Sequence, residues 1–338
     1  MQAWWVEQPG AIATHPLKGG ARANPAPGPG EILLEVRVCG VCRTDLHLAE
    51  GDLPPHAFGV VPGHEVVGAV VETGEGSTRF RLGDRVGAAW LGRTCGSCRF
   101  CLRGDENLCL TPRFNGWDDD GGYAELMVVH EDYAYLIPEA FNDEQAAPLL
   151  CAGIIGYRAL RQSRLPAGGR LGIYGFGGSA HLAAQIAIFE GAKVYVMTRS
   201  RKAQELALEL GTTFAGDAED RPPELMDGAI LFAPSGALVP LAMRSLERGG
   251  TLAIAGIHLS TIPALHYAED LFYERRIASV TANTRADGEQ FFDVASRIPL
   301  RPTTVSYPLA EANKALRDLS ENRITGAAVL RVASAGLA

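Results

Sequence analysis

Apolar residues in the first 150 or so positions fall in short runs, Ile32–Val38, Val66–Val71, Arg85–Leu91 and Tyr123–Val129, each bounded by Gly, Pro or Asp. Alternating or continuous apolar runs of this length between such breakers predict β-strands. From about Gly169 the rhythm changes. Leu171–Tyr174, Lys193–Thr198, Thr212–Ala215, Ala229–Ala233, Thr251–Gly256 and Ala278–Ala282 read as strands. Between them, Ala180–Glu190, Lys202–Leu210, Leu238–Glu247 and Ala268–Arg276 carry a helical pattern. Strand–helix alternation predicts a parallel, doubly wound sheet. The alternation is read as stopping after Asn283, where a helix-like Ala310–Ser320 and a strand Ala327–Val332 return to the first domain. The fold expected is therefore α/β: a β-rich domain interrupted by an inserted doubly wound sheet, with a ligand cleft between them.

Size and charge narrow the function classes. At 338 residues the chain exceeds the range in which a single core keeps growing. A formal charge of −8 disfavours nonspecific nucleic-acid or anionic-membrane binding, and no apolar run is long enough to span a bilayer. The start, MQAWWVEQPG, lacks the basic and apolar regions of an export signal. Seven cysteines in that setting point to a reducing cytoplasm and to metal ligation.

Four of those cysteines, Cys95, Cys98, Cys101 and Cys109, form C-x2-C-x2-C-x7-C. Thiolates so crowded repel one another unless a cation neutralises them, and Zn²⁺ accepts four thiolates tetrahedrally. Disulfides would need an oxidising compartment, and an iron–sulfur cluster usually has another rhythm. A closed four-sulfur site has no open position, so this lobe, about 92–112, reads as structural. A second motif is G-F-G-G-S-A, Gly175 to Ala180, between a strand and a helix. Gly175 permits the tight turn, Gly177 and Gly178 let a pyrophosphate approach the backbone, and Ala180 allows close helix–sheet packing. At the end of the next strand, Thr198–Arg199–Ser200–Arg201–Lys202 has no carboxylate to repel a 2′-phosphate. That pattern favours NADP(H) over NAD(H), against the plainer reading of a solvated basic helix start that tolerates NAD.

Cys42, His64 and Cys151 together supply a Cys2His set, which leaves zinc a fourth position. The surrounding motifs are G-V-C-R-T-D-L-H (Gly40–His47), P-G-H-E-V-V-G (Pro62–Gly68), G-D-R-V (Gly83–Val86), G-G-Y-A-E (Gly121–Glu125) and C-A-G-I-I-G-Y (Cys151–Tyr157). In this order, with the four-cysteine lobe and the glycine turn, the chain resembles the zinc-dependent medium-chain alcohol dehydrogenases over nearly its whole length.

The resemblance implies a GroES-like catalytic domain at 1–152, a Rossmann domain at 153–284 and a return to the catalytic domain at 285–338. It implies two zinc ions per chain, the catalytic one on Cys42, His64 and Cys151. Glu65 would be an alternative ligand and Asp45 would orient His64. A proton relay would run from Thr44 through the cofactor ribose to His47 and solvent. Thr44 is also read as a helix N-cap. Arg43 is similar to a residue that contacts the cofactor pyrophosphate. Trp90 would wall the substrate pocket, with Leu53 in a place held by a second tryptophan in relatives favouring very small alcohols. Ile155 would make the nicotinamide wall apolar. Medium-chain or aromatic primary alcohols and aldehydes are then the expected substrates, and a homodimer or homotetramer the expected assembly. The open alternatives are a polyol or amino-alcohol dehydrogenase of the same superfamily and a catalytically silent NADPH-binding zinc protein. Cys39 reads as a small buried hydrophobe. His56, His130, His258 and His266 receive no role, His181 reads equally as cofactor cleft or packing, and Trp117 is a candidate lid.

Overall fold

Glu31–Val41 (β1) is buried along most of its length, so it can only be an interior strand. The computed structural model, which describes residues 1–333, makes it the centre of a seven-stranded, mostly antiparallel sheet. The chain then forms a helix Arg43–Glu50 (α1), strands Val66–Thr73 (β2) and Arg85–Ala88 (β3), and strands Leu126–His130 (β4) and Ala134–Leu136 (β5). Strand β1 pairs antiparallel with both β2 and β4. Ile32, Leu34, Val36, Val66, Val70, Val86 and Met127 form the core of this first unit.

The second unit starts with a helix Ala152–Gln162 (α2), followed by Arg170–Tyr174 (β6), Gly178–Phe189 (α3), Lys193–Met197 (β7), Arg201–Glu209 (α4) and Phe214–Gly216 (β8). Met226–Leu231 (β9), Leu238–Arg244 (α5), Leu246–Ile254 (β10) and Arg276–Ser279 (β11) complete it. The sheet is parallel throughout in the order β8-β7-β6-β9-β10-β11. Neighbours change direction on either side of β6, and the glycine turn follows β6. Open α/β sheets take their ligands at such a switch point. The chain then returns through a helix Arg285–Ala295 (α6), Thr304–Pro308 (β12), Ala312–Ser320 (α7) and Ala327–Arg331 (β13). Strand β13 joins β1, so the chain that follows the insertion completes the first unit. The compact units are Met1–Cys151, Ala282–Ser296 and the chain from Arg301 onward, and Ala152–Thr281 with Arg297–Leu300.

Several elements differ from the sequence pattern, each for a local reason. The expected strand Arg85–Leu91 breaks at Ala89–Trp90. Asn115 donates from Nδ2 to the Ala89 carbonyl (2.7 Å) and from its amide to the Trp90 carbonyl (2.9 Å), taking these groups out of the sheet. Leu91–Arg93 then pairs with Arg113–Phe114 in a separate ribbon. The expected strand from Tyr123 begins only at Leu126, because the amides of Gly121, Gly122 and Tyr123 bond to the carbonyls of Val61, Gly63 and Pro62. Ala268–Arg276 yields a single wide turn, Tyr267–Leu271. Helix α6 lies where the alternation was read as ending. Its Thr284–Asp287 capping box, with the Thr284 amide donating to Asp287 (2.7 Å) and the Asp287 amide to Thr284 Oγ1 (3.1 Å), was present in the sequence.

Candidate active site and metal centres

Cys42, His64, Glu65 and Cys151 come from three separate segments of the first unit, yet one ligand atom from each lies within 4.8 Å of the others. Cys42 closes β1 and immediately precedes α1, His64 and Glu65 precede β2, and Cys151 follows a short 3-10 turn, Ala147–Leu150. One carboxylate ties two of these segments together. Asp45, 1% exposed, accepts from His64 Nδ1 (3.2 Å) and the Gly63 amide (3.1 Å) on one oxygen, and from the Cys42 amide (2.9 Å) on the other. With Nδ1 held there, the Nε2 of His64 is left for a ligand.

Two glycines make the room. A Cβ on Gly40 would lie 1.8 Å from Glu65 Oε2, so only glycine lets that carboxylate fold against β1. Gly63 has φ +105° and packs against Tyr123 and the Cys39 sulfur. Cys39 is fully buried, as expected of a small hydrophobe, and burial holds its thiol well above the ordinary range. Thr44 does not cap α1. The cap position is Cys42, and the carboxylate of Asp45 serves its amide, leaving the Thr44 hydroxyl 3.8 Å from the Cys42 sulfur.

The donor set fits zinc. The sulfurs of Cys42 and Cys151 are 3.8 Å apart, with no disulfide between them. A tetrahedral ion with sulfurs at about 2.3 Å separates them by about 3.8 Å. Cys151 hydrogen-bonds the Cys42 sulfur and so holds Cys42 well below the usual thiol range, while the same contact and burial raise Cys151. Burial pushes His64 down, but the charge and hydrogen bond of Asp45 and the Cys42 sulfur outweigh it and raise it. Burial first, then the Cys42 charge, holds Glu65 well above the carboxylate range. Cys42 is the one thiol of the set held low, beside three further groups able to ligate an ion.

Cys95, Cys98, Cys101 and Cys109 form the second cluster, again within 4.8 Å. The sulfur of Cys101 lies 3.5 Å from that of Cys98 and 3.9 Å from that of Cys95. Backbone amides point at the sulfurs: Cys98 N to Cys95 (3.3 Å), and Cys95 N and Thr111 N to Cys109 (3.4 Å each). The amides of Ser97 and Cys98 pull Cys95 down to about 6. Burial, offset in part by Thr94, pushes Cys101 up to about 11. Glu106 anchors the lobe to α6, accepting from the Arg285 amide (2.9 Å) and guanidinium (2.5 Å).

The other residues singled out from the sequence lie in plain view. The His47 Nδ1 faces Asp52 at 3.0 Å, and the Leu53 amide donates to the His47 carbonyl (3.1 Å). Arg43 is exposed and donates to Asn322 Oδ1 (2.7 Å). Trp90 meets the His64 ring edge-on, centroids 5.0 Å apart. Ile155 is half-buried on α2. In the second unit, Gly175 has φ +86°, and a Cβ there would lie 2.8 Å from the Ala233 amide nitrogen. Gly177 is the N-cap of α3 without a side-chain cap, and a Cβ on it would meet nothing within 4 Å. The amides of the first turn are thereby left for an anionic group. Ala180 is fully buried, Thr198 is buried, and Arg199 is exposed. His181 packs its Nδ1 against the Gly177 carbonyl (3.3 Å), and burial lowers it. Asp52, Asn322, Phe114 and Asp118 carried no motif, and the sequence reading passed over them.

Comparison with known proteins bears on the family. A profile for the alcohol dehydrogenase GroES-like domain matches residues 28–139. The chain is 56% identical over 337 residues to the "Probable alcohol dehydrogenase AdhA" of Mycobacterium tuberculosis, covering 98% of this chain and 97% of that one. It superposes on a cinnamyl alcohol dehydrogenase of Sorghum bicolor at TM-score 0.86 and 26% identity, over 99% and 98% of the two chains. A cobalt- and zinc-bound thermostable alcohol dehydrogenase of Pyrobaculum aerophilum gives TM-score 0.87 at 27% identity, over 98% and 99%. With a GroES-like domain around an inserted Rossmann-type sheet, and a relative this similar along its whole length, the chain belongs to the medium-chain alcohol dehydrogenases.

Proposed function

We propose that this oxidoreductase is a zinc-dependent alcohol dehydrogenase and aldehyde reductase that uses NADP(H) and takes medium-chain or aromatic primary alcohols. The observation that carries the reading is the meeting of Cys42, His64 and Cys151, with the two sulfurs at 3.8 Å. Two zinc ions per chain are inferred: one on this set, and one on Cys95, Cys98, Cys101 and Cys109. When bound, the catalytic ion supplies a Lewis acid that makes an alcohol hydroxyl acidic, and the dinucleotide accepts the hydride. Asp45 holds His64 by its Nδ1, and Glu65 stands by as an alternative ligand. Thr44 Oγ1, beside the Cys42 sulfur, would hydrogen-bond the substrate hydroxyl and accept its proton while releasing its own. The cofactor ribose would bridge Thr44 to His47, and His47, its ring oriented by Asp52 at Nδ1, would hand the proton to solvent.

NADP(H) preference is supported by the start of α4. Helix N-termini are already positive, and this one has no acidic residue in its first turn while carrying Arg201 and Lys202 beside Arg199. An added phosphate relieves that concentration of positive charge. Gly175, Gly177, Gly178 and Ala180 would receive the pyrophosphate, with Arg43 as its counter-charge. For the substrate, Leu53 and Trp90 would bound an apolar space and Ile155 would keep the nicotinamide wall apolar. Each methylene buried there contributes about 0.8 kcal/mol, so two favour the longer substrate roughly tenfold. A homodimer or homotetramer in a reducing cytoplasm completes the reading. It is supported by cysteines grouped for metal rather than for disulfides and by the exposed Tyr267, Phe272 and Tyr273 before the edge strand β11. No described helix is long and apolar enough to cross a membrane.

Oxidation of NADPH and NADH against aldehydes from acetaldehyde to hexanal and benzaldehyde tests the whole reading. Efficiency is expected to rise along the series and to be higher with NADPH. The Arg199→Ala variant is expected to lose more with NADPH than with NADH, and Leu53→Trp to reverse the substrate order. Higher efficiency with NADH overturns the cofactor assignment, and equal efficiency for acetaldehyde and benzaldehyde overturns the pocket.

A further inference from the structure

Two loops of the first unit, one between α1 and β2 and one running from Phe114 to Gly121, meet through a line of rings that reaches a metal-ligand candidate. His56 stacks on Trp117 with centroids 4.0 Å apart and planes at 30°. Trp117 lies nearly parallel to Trp90, at 5.9 Å and 11°. Trp90 stacks on Phe114 at 4.9 Å and 17°, and its ring meets His64 edge-on. Nothing in the assigned chemistry uses His56, Phe114, Trp117 or Asp118.

Polar contacts lock the same junction. The carboxylate of Asp118 spans both loops. One oxygen takes the Phe114 amide of its own loop (2.8 Å), and the other lies 2.6 Å from the Nδ1 of His56 in the opposite loop. The indole Nε1 of Trp117 donates to the Pro54 carbonyl (2.8 Å). Pro54 follows Leu53. The junction therefore fixes the backbone beside one residue of the apolar space while it holds the ring that backs the other, Trp90.

We propose that His56 and Asp118 are positioning residues, a clasp that holds Trp117 flat against Trp90 and so sets a rigid aromatic wall that selects ring-bearing substrates. Neither residue touches substrate. They act by bracing Trp117, a half-exposed side chain whose own loop contributes the Phe114 ring at 5.8 Å, against Trp90. A wall held flat gives a planar ring a stacking surface, and a small aldehyde gains little from it. The specificity half of this proposal rests on the reading that Trp90 and Leu53 bound the substrate space.

Two readouts on the zinc-loaded enzyme test it. Without substrate, acrylamide quenching of tryptophan fluorescence is expected to rise in His56→Ala and Asp118→Asn. The His56→Ala effect is expected to vanish in a Trp117→Phe background. With substrate, His56→Ala is expected to raise the KM for benzaldehyde about fivefold, the weight of one aromatic stacking contact, with kcat and the acetaldehyde KM unchanged. His56→Phe keeps the ring without the polar contact to Asp118 and is expected to restore part of the benzaldehyde KM. Unchanged quenching overturns the clasp whatever the substrates are. Raised quenching with equal effects on both aldehydes overturns its role in specificity. A wild type that does not prefer benzaldehyde overturns the pocket reading separately, because the quenching result stands without it.

Discussion

Asp45→Asn isolates the part of the active site that depends on a single carboxylate. The substitution preserves shape and volume, so no cavity is created. It changes what the group can accept. In the wild type, three donors converge on Asp45: the His64 ring nitrogen, the Gly63 amide and the Cys42 amide. Asparagine retains one oxygen and replaces the other with a donor NH2. If that oxygen faces His64 and Gly63, the NH2 opposes the Cys42 amide and leaves it unsatisfied, at a cost of about 1–3 kcal/mol. The two bonds retained lose the strength lent by a charged acceptor, about 1 kcal/mol together after relaxation. A sum of about 3 kcal/mol corresponds to roughly a hundredfold, near the upper end of what removing a ligand's supporting partner does to metal affinity. Competition with a chromogenic zinc chelator is the assay. One ion per chain is expected to be held 10–100-fold more weakly, while the four-cysteine ion is unchanged. Affinity within twofold of wild type at both sites would show that Asp45 does not orient His64.

Gly40→Ala is expected to destabilise the protein by about 3 kcal/mol in urea unfolding, because the new Cβ would lie 2.7 Å from the Cβ of Glu65 as well as against its carboxylate, so the clash cannot be relieved by a side-chain tip alone. An unchanged unfolding midpoint would refute that packing. Cys98→Ser is expected to lower zinc content from two ions to one and to reduce the melting temperature. Cys42→Ser is expected to remove the other ion and abolish activity with little change in melting, and the same melting loss in both variants would refute the division of roles. Asp227 is held below the carboxylate range by its bond to the Arg170 guanidinium and by the Arg170 amide. A depressed pKa contributes stability above the unfolded value of about 3.9, and that stability is lost as pH falls through the lower folded value. The melting gap between wild type and Asp227→Asn should therefore be constant above about pH 5 and close below about pH 4; a gap that widens in acid would refute the sign.

How much was legible in the chain depended on how far apart the partners lie. Cys95 to Cys109 span one short stretch, so their spacing alone pointed to a metal lobe. The glycine turn was equally local, sitting between a strand and a helix that each carry their own period. Cys42, His64 and Cys151 are spread over more than a hundred positions, so residue chemistry offers them as a Cys2His set while the resemblance implies that one ion joins them. The aromatic line was not legible at all. His56, Trp90 and Trp117 lie in loops and Phe114 in a two-residue strand, where no periodicity says which side chain meets which. The break in the strand at Trp90 has the same origin, since it is made by Asn115 from a distant segment. Helix α2 was missed because the glycines of A-G-I-I-G-Y weaken its helical pattern. Packing supplies the reason for one of them: a Cβ on Gly156 would come 2.7 Å from the Ser179 carbonyl of α3.

The two candidate metal sites lower one thiol each by different means. In the exposed lobe, backbone amides from adjacent turns stabilise the sulfurs, so Cys95 is already pulled down to about 6 without help from any distant residue. That cluster can assemble locally, and its consequence is local too: it ties the lobe to α6 through Glu106 and Arg285. In the active site, Glu65 and Cys151 are both driven upward, by burial and by the charge or hydrogen bonding of Cys42. Cys42 alone is held low there, by its hydrogen bond with Cys151, and the site must be assembled first, by β1, α1 and the turn before β2, with Asp45 joining them. The physical argument for a metal there is therefore geometric: two sulfurs 3.8 Å apart with no disulfide, and a His64 ring held at Nδ1 by Asp45 so that its Nε2 is left for a ligand.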